Sequence, residues 1–263
     1  MFFVAFTVFT IGIIAFVYGP GILNGLTSLT KGLVQRALLP NLAIILIFPY
    51  GILIIYEKLK PRDLGLEGGK VLQAASIIAL VILVLQISST VMSIISYKTL
   101  TLGNLWSKVS GGTALGVLIC QLFAVAVQEE IIFRGFLIPQ VYLRIKKDNY
   151  IVRMGLVLVI SQGLFAIWHI PIRIFLGMSL ISTIISIFTV FIIGIIFALI
   201  YMRTGNIFIV MGIHGLWNAV QTTAQSNVYI IMLMLIIATL IVQGPRLRKL
   251  KKLDNLQNVK GSL

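Results

Sequence analysis

The chain has 263 residues, of which 59% are hydrophobic and 11% are charged. A soluble domain of this size has no use for so much apolar surface, so the composition excludes an ordinary aqueous globular protein. The formal net charge of +14 would suit a nucleic acid, but the 21 Lys and Arg residues gather mainly in the loops on one predicted side of a membrane. We therefore expect no nucleic-acid partner.

Eight apolar segments are long enough to cross a bilayer, for which a helix needs about 20 residues. They are too long and too continuous to be the strands of a membrane barrel. The sequence therefore predicts an all-α fold, a polytopic membrane helix bundle with about eight transmembrane helices, as a single membrane domain over residues 1–263. In chain order the predicted spans are 2–18, 40–56, 71–96, 112–143, 151–172, 176–202, 205–223 and 227–243.

The basic residues predict the orientation of the bundle. One set of loops carries the basic stretches 58–70 and 144–153 together with the tail 246–260, whereas the other set carries few basic residues. Because cytoplasmic loops are enriched in Lys and Arg, both termini are predicted to be cytoplasmic. The tail is expected to contact anionic membrane lipids. The first segment has no basic start or small-residue cleavage site, so we interpret it as a retained span. We expect an integral protein of a prokaryotic plasma membrane.

The fourth apolar segment stands out by its length and by its acidic residues. From Gly112 to Leu143 a helix would cover about 48 Å, more than the ~30 Å of a hydrocarbon core, so we expect it to tilt, kink or project. It contains Glu129 and Glu130, half of the four Glu residues in the chain. An ionisable group in mid-bilayer costs roughly 2.5–3.5 kcal/mol, which makes these carboxylates candidates for a functional site.

Three short motifs carry the candidate residues, and both histidines of the chain belong to them. Residues four apart share a helix face, so Glu130 can pair with Arg134 while Glu129 points elsewhere and stays available for chemistry. Counting from the nearest basic loop residues puts the three motifs within about two turns of one depth. A shared polar cavity is therefore predicted. The motifs are Glu129-Glu130-Ile131-Ile132-Phe133-Arg134, Phe165-Ala166-Ile167-Trp168-His169 and His214-Gly215-Leu216-Trp217-Asn218.

A carboxylate and two imidazoles around one cavity suit hydrolysis, by either of two routes. A Glu or His takes a proton from water while other groups stabilise the oxyanion. Alternatively Glu129, His169 and His214 bind a catalytic zinc ion, for which one Glu and two His form a known ligand set. The residues themselves leave both routes open.

At these motifs the chain resembles the CAAX-protease and bacteriocin-processing (Abi, or CPBP) family of intramembrane proteases. The family pattern is EExxxR, then FxxxH, then HxxxN, and the matched core runs from about 112 to 220. The resemblance implies an eight-helix protease in which Glu129 and His169 activate water and His214 and Asn218 stabilise the oxyanion. Glu130 and Arg134 would give structural support. Family names often include the word metalloprotease, but we favour a metal-independent glutamate mechanism and leave zinc as the alternative.

The resemblance implies a peptide or a lipidated protein as the substrate, such as a prenylated C-terminus or a secreted peptide. One competing hypothesis is a non-catalytic membrane protein that uses the same scaffold to bind a bacteriocin and confer self-immunity. Another is a proton-coupled transporter with a Glu and His relay, which predicts inverted repeats that the sequence lacks. Intact Glu129, His169 and His214 favour catalysis, because a pure binder has no need for costly charges in lipid.

Overall fold

The computed structural model describes residues 6–13, 22–101 and 110–219. Over these residues every regular element is helical, which confirms the predicted all-α fold class. Two short 3₁₀ turns, Pro61–Leu64 and Gly68–Lys70, precede α4. The helices are α1 (6–13), α2 (Ile22–Leu29), α3 (Leu38–Tyr56), α4 (Val71–Tyr97), α5 (Gly111–Arg144), α6 (Tyr150–Ile167), α7 (Ile170–Phe175), α8 (Leu180–Thr204) and α9 (Ile207–Asn218).

Five of the described helical stretches are long and apolar enough to cross a membrane: Leu38–Tyr56, Gly68–Tyr97, Gly111–Arg144, Tyr150–Phe175 and Leu180–Thr204. The shorter apolar helix α9 follows them. These helices make the chain an integral membrane protein. The predicted number of eight spans is not established, because the span 227–243, the tail 246–260 and most of the span 2–18 lie outside the described residues.

The long helix α5 is irregular at two places. The π-helical stretches Gln121–Val125 and Ile131–Leu137 lie on either side of the short α-helical stretch Ala126–Glu130. A π turn inserts an extra residue and changes the direction in which later side chains point, and such turns are frequent at functional sites. The two Glu residues of the first motif therefore occupy a regular turn between two π-helical segments.

The predicted span 151–172 lies within the apolar stretch Tyr150–Phe175, which is long enough to cross a membrane, but the helix is interrupted inside it. Helix α6 ends at Ile167, residues 168 and 169 form a turn, and α7 starts at Ile170 with Pro171 in its first turn. Proline has no backbone N–H and its ring clashes with the preceding turn, so a regular helix cannot run through this point. His169 lies in the break, as the residue that caps the N-terminus of α7.

Helix α9 lies at the centre of the described bundle, since nine of its twelve residues are buried. Two glycines allow it to approach its neighbours closely. A β carbon added at Gly212 would collide with Ile78 of α4, and one added at Gly215 would lie 2.9 Å from the Cα of Leu122 in α5. The start of α9 is held by Asn206, whose side chain donates a hydrogen bond to the Lys70 carbonyl at 3.0 Å. These contacts fix the third motif beside the first.

Candidate functional site

The acidic pair on α5 divides into two side chains with different surroundings. Glu130 is fully buried, and its Oε1 lies 3.1 Å from Nη1 of Arg134, which is also fully buried. This is the ion pair along one helix face that the four-residue spacing predicts. Arg134 also donates a hydrogen bond to the Gly194 carbonyl of α8 at 3.4 Å. No Lys or Arg pairs with Glu129 among the described residues, and its side chain is 10% exposed.

Glu130 makes a second contact that links α5 to α9. Its Oε1 lies 2.6 Å from Nδ1 of His214, which is the shortest hydrogen bond at the site. An ionised carboxylate only accepts, so Nδ1 of His214 carries the proton and Nε2 is left to face the cavity. One carboxylate oxygen thus forms an ion pair with a guanidinium and accepts a hydrogen bond from an imidazole.

His169 is oriented by a neutral group instead of a carboxylate. Its Nδ1 lies 2.8 Å from the backbone carbonyl of Phe165, one turn earlier in α6. A carbonyl oxygen only accepts, so this Nδ1 is also protonated and Nε2 is the free nitrogen. The Phe165 ring contacts the His169 ring edge-on, with 4.8 Å between their centroids. The break between α6 and α7 places this imidazole in the bundle interior.

The two free imidazole nitrogens face the same carboxylate oxygen. Oε2 of Glu129 lies 3.7 Å from Nε2 of His214 and 3.9 Å from Nε2 of His169. Both separations exceed a direct hydrogen bond, yet each is short enough for one small molecule to touch both atoms. Residues from three helices, up to 85 positions apart in the chain, therefore surround one small volume. The predicted site residues Glu129, His169 and His214 are brought together.

Asn218 lies at the exposed edge of this group, one turn beyond His214 on α9. Its Nδ2 donates a hydrogen bond to Oε1 of Gln121 at 3.1 Å. Gln121 begins the first π-helical stretch of α5, beside the close contact that Gly215 allows. The amide of Asn218 is thus held by one hydrogen bond while its other N–H remains available.

The buried surroundings are largely apolar and aromatic. The guanidinium carbon of Arg134 lies 4.2 Å from the centre of the Phe165 ring. The ring of Phe197 lies 5.0 Å from that of His214. Such an environment has a low effective dielectric, in which the charges of Glu129, Glu130 and Arg134 interact strongly.

The site contains side chains of the types that bind metal ions. Two Nε2 atoms and a carboxylate oxygen are ligand types that zinc accepts. Nevertheless, no group of three or more His, Cys, Asp or Glu side chains within 6–13, 22–101 and 110–219 is arranged so as to hold a metal ion. The ligand types of Glu129, His169 and His214 would permit zinc, which stays the alternative to a metal-independent reaction.

Two features of the site escape the sequence motifs. The first is the hydrogen bond from His214 to Glu130, which makes Glu130 more than a partner for Arg134. The second is Gln121, a polar residue in an apolar stretch about two turns before Glu129. Its polarity was a usable signal, but its contact with Asn218 depends on the packing of α9 against α5.

Comparison with known proteins agrees with the motifs. Residues 111–220 match the family model described as Rce1-like, type II CAAX prenyl endopeptidase. No curated protein and no solved structure matches the chain. At the level of the family, the match supports endopeptidase activity on a peptide or prenylated protein. The resemblance predicted from the three motifs is confirmed: over residues 111–220 the chain is similar to the Rce1-like members of the CAAX protease family.

Proposed function

We propose that the protein is an intramembrane endopeptidase that hydrolyses a peptide bond with water activated by Glu129 and His169. The observation that carries the proposal is the convergence of two imidazole Nε2 atoms on Oε2 of Glu129, inside a buried and largely apolar group of helices. Charges in such a position are costly, and hydrolysis uses each of them. The family match over residues 111–220 supports the same reaction class.

Water activation follows from the two acceptor atoms that face each other. A water molecule about 2.8 Å from each of two atoms spans a separation such as the 3.9 Å between Oε2 of Glu129 and Nε2 of His169. Because the proton of His169 is on Nδ1, its Nε2 offers a lone pair, as Glu129 does. Both groups therefore accept hydrogen bonds from the attacking water, and one of them takes a proton as the water oxygen bonds to the carbonyl carbon. The resulting tetrahedral oxyanion collapses as the C–N bond breaks, and the proton passes to the leaving amine.

Oxyanion stabilisation requires a donor, and the contact with Glu130 allows His214 to become one. A proton on Nε2 of His214 gives an imidazolium, which the Glu130 carboxylate 2.6 Å from Nδ1 stabilises. His169 has only a carbonyl behind it and lacks this support. We propose that the protonated His214 donates to the oxyanion.

Asn218 is the second donor in this proposal, and Gln121 is its positioning residue. Removal of one such donor typically costs about 10²- to 10³-fold in rate. The hydrogen bond from Nδ2 of Asn218 to Gln121 limits rotation of the amide, and in this proposal the remaining N–H serves the oxyanion. Glu130 acts in the same sense on His214. The support role of Glu130 and Arg134 thus includes the orientation of a catalytic imidazole.

The wider setting is proposed on the sequence. We infer one membrane domain with a catalytic core at 112–220, in a prokaryotic plasma membrane with both termini in the cytoplasm. The substrate is a membrane-associated peptide or protein, prenylated or secreted, and the basic tail contacts lipid headgroups. We propose a metal-independent reaction. Should a zinc ion take part, Glu129, His169 and His214 would hold it and it would supply a polarised water.

The proposal is tested with purified protein in lipid vesicles and a randomised peptide library read by mass spectrometry. Wild-type protein is expected to produce defined new termini, and His169→Ala protein to produce none at equal abundance. A strong chelator is expected to leave the wild-type rate unchanged. Loss of activity that returns only with added zinc would replace the metal-independent mechanism by the zinc alternative. Equal cleavage by His169→Ala would overturn the assignment of the site.

A further inference from the structure

Arg173 is a cation beside the proposed catalytic centre that the hydrolysis does not use. It belongs to the short helix α7, and its backbone N–H donates to the carbonyl of His169 at 3.3 Å. Residues four apart share a helix face, so Arg173 and His169 lie on one stripe of this segment. The adjacent stripe, Ile170 and Ile174, lines an apolar groove of about 640 Å³ with α8. Arg173 is therefore on the side of α7 that carries the catalytic imidazole.

Within the described residues, Arg173 has no carboxylate partner. Its side chain is partly buried, and its Nε is buried without a hydrogen-bond acceptor. The Arg173 side chain lies close enough to His169 to interact electrostatically with its imidazole. None of the ion pairs in the described part of the chain includes it.

The small number of acidic residues explains why no partner is at hand. The chain has only seven, of which Glu129 and Glu130 already face the imidazoles and Arg134. Asp148 lies just before the start of α6, about 27 Å along this helix from the end that is next to His169. Glu57, Asp63 and Glu67 lie in the loop between α3 and α4. The last, Asp254, lies outside the described residues. The described residues therefore leave no carboxylate to neutralise Arg173, and an anion from another molecule can take this place.

We propose that Arg173 binds a carboxylate of the substrate next to the bond that is cleaved. A guanidinium presents a planar set of N–H donors that matches a carboxylate, and such a charge-assisted pair is strongest where water is scarce. The inference rests on the proposed protease function and adds a substrate class to it. Arg173 follows His169 by four residues, which is a rise of about 6 Å along a helix, and the Arg173 side chain extends this distance. In an extended peptide, with about 3.3 Å per residue, the bound carboxylate would therefore lie roughly two to four residues from the cleaved bond.

Two substrate groups offer this chemistry: the α-carboxylate of a peptide whose C-terminus is near the cleaved bond, and the side chain of Asp or Glu. The test uses one randomised peptide library, free of acidic residues, made as the free acid and as the C-terminal amide. A third version is the amide with Asp incorporated. Each is incubated with wild-type, Arg173→Gln and Arg173→Lys protein in phosphatidylcholine vesicles. Arg144→Gln is the matched control, since Arg144 is exposed and bonds only to Gln140 in its own helix.

Wild-type and Arg144→Gln proteins are expected to cleave carboxylate-bearing peptides about 10- to 100-fold faster than plain amides in kcat/KM, the range of one charge-assisted hydrogen-bonded pair. Arg173→Gln is expected to cleave every version at the slow rate of the amide, and Arg173→Lys to retain part of the preference. If only the free acid is preferred over the plain amide, Arg173 binds the α-carboxylate. If the Asp-bearing amide is preferred as strongly as the free acid, Arg173 accepts both the α-carboxylate and a side-chain carboxylate.

Different results would overturn this inference alone or together with the proposed protease function. Cleavage by the wild type without any preference for a carboxylate, or a preference that survives in Arg173→Gln, overturns this inference and leaves the protease function standing. A rate that rises with added phosphatidylglycerol in the wild type but not in Arg173→Gln, without any acid preference, assigns Arg173 to a lipid headgroup and overturns this inference. Complete inactivity of the wild type on all versions overturns the proposed function and this inference together.

Discussion

Replacement of Glu130 by Gln separates the two tasks that this side chain performs. Oε1 of Glu130 forms an ion pair with Nη1 of Arg134 at 3.1 Å and accepts a hydrogen bond from Nδ1 of His214 at 2.6 Å, and the side chains of Glu130 and Arg134 are fully buried. The amide keeps the shape but loses the negative charge. Arg134 is then left as a buried cation without a counter-ion, and His214 loses the anion that stabilises its protonated form.

The magnitudes follow from these contacts. Loss of one partner of a buried ion pair costs about 3–5 kcal/mol of stability, because the remaining charge is uncompensated. Loss of the imidazolium removes one oxyanion donor, which corresponds to about 10²- to 10³-fold in kcat. We therefore expect Glu130→Gln to show both a lower thermal unfolding temperature in detergent and a lower rate per folded molecule.

A second substitution distinguishes the two effects. In Glu130→Gln with Arg134→Met, both buried charges are absent, and such replacements are often neutral or stabilising. We expect the unfolding temperature to return to the wild-type range while kcat stays about 10²- to 10³-fold low. The assay is peptide cleavage in vesicles at matched folded protein, with the unfolding temperature measured on the same samples. Full activity of the double variant would refute the proposed role of Glu130 in orienting and charging His214.

Three further changes test the packing around the site. Gln121→Ala is expected to lower kcat about 3- to 10-fold, which corresponds to the loss of one hydrogen bond. When Asn218 is already Ala, the same change is expected to have little further effect. Additive losses of kcat would contradict the role of Gln121 in positioning Asn218. Gly215→Ala places a β carbon 2.9 Å from the backbone of α5 and is expected to cost about 1–3 kcal/mol of stability, with an unchanged unfolding temperature as the contrary result. Phe165→Leu removes the ring 4.2 Å from Arg134 and is expected to cost about 2 kcal/mol, which a thermal melt detects; a stability equal to that of the wild type would show that this ring contact contributes nothing.

The parts of the site that the sequence predicts are those set by local helix geometry. The ion pair of Glu130 and Arg134 depends only on a spacing of four residues within one helix. The all-α fold follows from the length of the apolar segments. The common depth of the three motifs follows from counting residues along each helix from its basic end. None of these inferences requires knowledge of which helices are neighbours.

The remaining features depend on how helices are rotated against one another. The bond between Glu130 and His214 joins residues 84 positions apart and requires that α9 presents its His to α5. The contact of Gln121 with Asn218 additionally depends on a π turn, which shifts the direction of side chains and has no clear sequence signal. The break at His169 was foreseeable from Pro171, but hydropathy alone counts this stretch as one span.

The most direct test of the central claim is a comparison of peptide termini, by mass spectrometry, in membranes that contain wild-type or Glu129→Gln protein at equal abundance. Glu57→Gln is the matched control, because it makes the same chemical change on an exposed side chain outside the site. The account predicts new termini with the wild type and with Glu57→Gln, and none with Glu129→Gln. The same termini in the Glu129→Gln membranes would contradict it.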